Sequence, residues 1–116
     1  MTQTLTIKQR LADYNRFIRM HRHVKNKETQ TMVDIIAWEC KAQKIKPVKS
    51  AHISFTWYVK NKLMDKDNIA FAKKFVLDGL QRAGVLSNDG WYEILSLHDE
   101  FEIADFYGVK VEIGEV

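Results

Sequence analysis

The stretch Ile53-Ser54-Phe55-Thr56-Trp57-Tyr58-Val59 alternates apolar and polar side chains without a break. A period of two over seven residues, rich in β-branched and aromatic types, predicts a strand with one buried face. The strand runs towards Asp65-Lys66-Asp67-Asn68. In extended backbone, two carboxylates two residues apart point to the same side. Beyond them the pattern changes to helical spacing. Ile69, Ala72, Val76, Leu80 and Ala83 form one apolar stripe, which predicts a single helix over residues 69–83. Asn68 is the expected N-cap and Gly84 the expected C-terminal stop. Asn88-Asp89-Gly90 then reads as a turn.

Working outward, residues Thr4–Lys8 alternate and predict a short strand. Leu11, Tyr14 and Ile18 have the spacing of a short helix. Met32, Val33, Ile36, Ala37 and Cys40 mark a longer helix over residues 28–44, with Pro47, the one proline, as its terminator. Two last strands are expected at residues 92–97 and 109–113. The acidic segment between them, His98 to Gly108, has no clear periodicity. A strand, helices, then further strands predict a mixed α/β (α+β) fold, a mixed β-sheet with helices in one compact domain over residues 1–116.

The chain of 116 residues is 46% hydrophobic and 28% charged, which fits a globular protein and excludes a disordered one. Cys40 is the single cysteine, so no internal disulfide forms, and it reads as a small buried hydrophobe. The N-terminus has no apolar signal-like core and no run approaches 18 apolar residues. The expectation is a chain with no signal peptide and no membrane span, residing in the cytoplasm.

Net charge is +3, but its distribution is lopsided. Residues 1–74 carry 16 Lys and Arg against 6 Asp and Glu, a balance of +10. Residues 75–116 carry 2 against 9, a balance of −7. Two blocks lack acids altogether. The first holds Arg16, Arg19, Arg22, Lys25 and Lys27, with His21 and His23; the second holds Lys41, Lys44, Lys46 and Lys49. Such a block faces either solvent or a polyanion, and the first is the candidate DNA-binding surface.

Asp65, Asp67 and Asp89 are candidate ligands of a hard divalent cation, which takes oxygen donors. A metal beside a basic surface is what phosphodiester cleavage requires. The plainer reading makes Asp65 and Asp67 a favourable anion pair at a helix start and Asp89 a turn residue. The three converge only if the strand after Asp89 pairs beside the strand before Asp65. Lys73 and Lys74 are either helix-surface residues, Lys74 pairing with Asp78, or a cation that stabilises charge on a phosphate. The four histidines lack zinc-ligand spacing. Trp38, Trp57 and Trp91 read as core or interface residues.

Over residues 65–89 the chain resembles the RusA family of Holliday junction resolvases, of phage and prophage origin. The resemblance is carried by Asp65-Lys66-Asp67-Asn68, then Lys74-Phe75-Val76-Leu77-Asp78-Gly79-Leu80, then Ala83-Gly84-Val85-Leu86-Ser87-Asn88-Asp89. Asn15-Arg16-Phe17 is similar to the family's Asn-Arg-aromatic segment. The resemblance implies that Asp65, Asp67 and Asp89 bind metal and that Lys74, four before Asp78, is the catalytic lysine. The family's lysine follows its second motif Asp by about one helical turn. Here Lys74 is seven residues on and Phe71 occupies the ungapped position, so Lys73 is a rival. Asn88 replaces the first acid of the family's pair.

The resemblance further implies a homodimer, dependence on Mg²⁺ with Mn²⁺ as a substitute, and paired symmetric nicks in four-way junctions during recombination and repair. Two other functions fit the same sequence. One is a phage DNA-binding protein that has the fold without catalysis. The other is a structural or assembly protein whose acidic half docks on a basic half.

Overall fold

The alternation around Trp57 organises the whole molecule. In the computed structural model, which describes residues 1–116, strand β2 spans Ala51–Val59. Its odd-numbered side chains Ala51, Ile53, Phe55, Trp57 and Val59 are all buried. Strand β1 (Thr2–Ile7), β3 (Ile94–Ile103) and β4 (Gly108–Glu115) complete one mixed sheet in the order β1-β4-β2-β3. β4 lies antiparallel to both β1 and β2, while β3 lies parallel to β2. The core-facing residues of β1 and β4, Leu5, Ile7, Val109, Val111 and Ile113, are 0% exposed.

The helices lie over that buried face. Helix α1 spans Tyr14–Ile18, α2 Arg22–Ala42, α3 Lys66–Ala70 and α4 Lys73–Arg82. Met32, Ile36 and Cys40 of α2 join Phe75, Val76 and Leu80 of α4 and the sheet side chains in one cluster. Burial of such side chains contributes roughly 1.5–3 kcal/mol each. Cys40 is buried as expected, and burial, with Glu39 beside it, pushes its thiol up to about 11. No helix is long and apolar enough to cross a membrane.

Several boundaries differ from those the sequence predicts, for physical reasons. Helix α2 begins at Arg22 rather than near Glu28, because its first turns are solvent-facing and carry no apolar stripe. It ends at Ala42, well before Pro47. Lys44 takes a left-handed conformation (φ 57°) and the Ile45 amide turns back to the Cys40 carbonyl at 2.9 Å. The expected helix over residues 69–83 is two helices. At the junction, Ala72, Lys74 and Phe75 donate to carbonyls three residues back, a tighter winding than the α-helix. Gly84 stops α4 as expected, at φ +79°. β3 starts two residues later than expected and continues to Ile103, through half of the segment without periodicity.

Asn68 is not an N-cap. Asp65 occupies that position, and Asn68 lies within α3 as the one buried polar residue, 8% exposed. Its Oδ1 accepts the backbone N–H of Asn15 at 2.8 Å. Around this bond Tyr14 and Phe17 meet Phe71 with ring centroids 5.1 and 5.4 Å apart, and Phe17 meets Phe75 at 5.4 Å. The polar bond and the aromatic cluster together hold α1 against α3.

Two stability outcomes follow from this packing. A Cβ at Gly79 would overlap Cβ and Cγ2 of Ile36, where α4 crosses α2. Gly79→Ala is expected to destabilise the fold by about 1–3 kcal/mol in urea unfolding, although alanine favours helix. Asn68→Ala leaves the Asn15 amide without its acceptor. It is expected to cost about 1–2 kcal/mol and to raise hydrogen exchange selectively at Asn15.

Candidate functional site

Beyond Val59 the chain leaves the sheet and enters α3 through Asp65. The Asp65 side chain makes no capping bond, so its carboxylate stays open to solvent. Asp67, in the first turn, uses Oδ1 to accept the Asn68 amide at 2.9 Å. Both carboxylates are exposed and line one depression of about 620 Å³ between α3 and the end of β3. That volume is in the range of small-ligand sites. Lys62, Lys66 and Glu102 share its wall.

Asp89 does not join them. The strand after it does pair beside β2, as the convergence of the three acids required. The pairing is parallel, with Ala51 opposite Ile94 and Val59 opposite Ile103. Asp89 precedes β3 and lines a shallow groove with Leu77 and residues 94–97. Asp65 and Asp67 lie by Phe101, Glu102 and Ile103, at the other end of the same strand. No three His, Cys, Asp or Glu side chains form a group that could hold a metal ion. Two carboxylates are nonetheless a donor set that suits Mg²⁺, which keeps several waters and completes its shell with substrate phosphates. Asp65 and Asp67 present two such oxygen donors to one depression.

The two lysines separate clearly. In an unbroken helix Lys74, seven residues after Asp67, would share its face, and Lys73 would point about 120° away. The tightened junction between α3 and α4 re-phases the helix. Lys73, half-buried, borders a second depression together with Asp67, Lys66 and Asp99. Its Nζ donates to Asp99 Oδ2 at 2.6 Å. Lys74 is exposed, with its Nζ 5.9 Å from the Phe75 ring centre, and forms no ion pair with Asp78.

The basic block lies along the α1–α2 corner. Arg16 is in the last turn of α1, Arg19 caps it, and Arg22 opens α2, followed by Lys25 and Lys27. The three arginines and Lys27 are exposed, and Lys25 lies 5.9 Å over the Phe17 ring. Through the Asn15–Asn68 bond the start of this block is tied to the helix that carries Asp67. Trp57 belongs to the core at 3% exposure, whereas Trp38 and Trp91 are exposed by 67% and 92%.

Asp99 and Glu102 are not among the residues that the sequence pattern marks. Both sit in the acidic segment without clear periodicity. Leu97, Asp99, Phe101 and Ile103 do alternate there, and an acid within an apolar alternation is the signal that would have found Asp99. Compared with models of known protein families the chain finds no match, and compared with curated proteins it again finds none.

Proposed function

We propose that this chain is a metal-dependent endodeoxyribonuclease that acts on branched DNA as a homodimer, nicking four-way junctions symmetrically. The observation that carries the reading is the coupling of two exposed carboxylates to a cationic corner. Asp65 and Asp67 open from α3, and the same helix is bonded through Asn68 to the segment that begins the Arg16–Lys27 block. The resemblance of residues 65–89 to RusA resolvases points the same way.

Each part has a definite task in hydrolysis. Asp65 and Asp67 would hold the cation, which would supply stabilisation of charge on the phosphate and on the departing 3′ oxygen. Water adds across the P–O3′ bond, leaving a 5′-phosphate and a 3′-hydroxyl. Lys73 offsets charge that accumulates on the phosphate. Arg16, Arg19, Arg22, Lys25 and Lys27 hold flanking phosphates, and a two-fold axis supplies the second nick.

A second reading, a DNA-binding protein without catalysis, is favoured by one feature: Asp89 lies apart from Asp65 and Asp67. The two readings differ in what Asp67→Asn does. On the nuclease reading it lowers the cleavage rate by about 100-fold or more in Mg²⁺ and leaves junction affinity nearly intact. Equal cleavage by both proteins, or none by either, in a gel assay with a cruciform substrate removes the assignment. In both readings Arg16→Gln, Arg19→Gln and Arg22→Gln together flatten the salt dependence of DNA binding. The log–log slope falls by roughly 0.9 for each phosphate that the variant no longer neutralises. An unchanged slope would make this corner a solvated surface only.

A further inference from the structure

Asp99 stands in register with Phe55 and projects on the helix side of the sheet, where the neighbouring positions of β2 are buried. An acid there requires compensation of its charge. It receives two charge-assisted hydrogen-bond partners. Trp57 Nε1–H donates to Oδ1 at 2.9 Å, and Lys73 Nζ donates to Oδ2 at 2.6 Å. The Lys73 and Asp99 side chains are 22% and 23% exposed, covered enough to be held yet open on one side. The ammonium also lies 5.6 Å from the Phe55 ring centre, so carboxylate and ring restrain it together. The open side faces the depression that Asp67 borders. An ammonium has three N–H donors, and Asp99 engages it through one carboxylate oxygen, which leaves donors for a phosphate.

We propose that Asp99 is a positioning residue, which with Trp57 orients Lys73 so that Lys73, rather than Lys74, is the cation that meets the scissile phosphate. The inference rests on the nuclease reading of the same site. Its physical content is preorganisation: the lysine is placed before substrate arrives, so no reorganisation is needed when charge develops. Lys74, exposed and without an anionic partner, has no such restraint.

The test combines kinetics with a measurement that needs no activity. Asp99→Asn is expected to lower kcat on a branched DNA in Mg²⁺ by about 10- to 100-fold, with KM nearly unchanged. Lys73→Gln is expected to lose at least as much. The double variant should be no slower than Lys73→Gln alone, because Asp99 acts only through that side chain. In parallel, acetylation followed by mass spectrometry should find Lys73 shielded relative to Lys74 in the parent and equally reactive in Asp99→Asn. A parent rate for Asp99→Asn, a multiplicative loss in the double variant, or a greater loss in Lys74→Gln than in Lys73→Gln would overturn the proposal. No cleavage by the parent, with Lys73 still shielded, would overturn the nuclease reading and with it the catalytic role of the pair, while leaving the geometry intact.

Discussion

The buried face of β2 is the constraint on which everything else depends. All five core-facing side chains have partners in β3, and four of them, Ala51, Ile53, Phe55 and Trp57, also have partners in β4. A one-residue slip of β2 would turn Ile53, Phe55 and Trp57 to the polar face and bury Ser54, Thr56 and Tyr58. The register is therefore held firmly, and so is the point at which the chain leaves the sheet. That exit, after Val59, sets where α3 begins and hence where Asp65 and Asp67 open. Trp57 links core and site directly, since the ring that fills the sheet interior also bonds Asp99.

Much of this architecture was legible because it rests on periodicity. The alternation of residues 53–59 and the stripes on α2 and α4 each reflect burial on one face only, and burial leaves a repeating trace. The elements that were misplaced lack that trace. The opening turns of α2 are exposed nearly all round, Val24 included, so no apolar stripe marks them. The second half of β3 lies at the sheet edge, with His98, Glu100 and Glu102 on one side and an acid interrupting the other.

The site was legible in part for a related reason. Asp65 and Asp67 are close in sequence, so their shared depression follows from local geometry. Whether Asp89 joined them depended on whether β3 ran parallel or antiparallel to β2, and spacing along the chain does not encode that. Which of Lys73 and Lys74 borders the depression beside Asp67 depends on the winding at residues 71–75. Three hydrogen bonds of i→i+3 type there redirect the side chains that follow, and no residue type announces such a junction. Asn68 shows the converse case. Its type fits a cap, but burial assigned it to joining two helices.

The placement of β4 bears on how the chain acquires its shape. β4 is the last strand in sequence and yet lies inside the sheet, between β1 and β2. β1 pairs with nothing else, Thr2 lying opposite Gly114 and Ile7 opposite Val109. During ribosomal synthesis β1 therefore waits without a strand partner until residues 108–115 have emerged, although Thr6 can already bond Gln43. Leu5 and Ile7 find their sheet neighbours only then. Pairings that span nearly the whole chain slow folding, because the loop must close before they contribute. Loss of β4 would do more than shorten one edge: it would detach β1 from the sheet and strip β2 of one of its two neighbours.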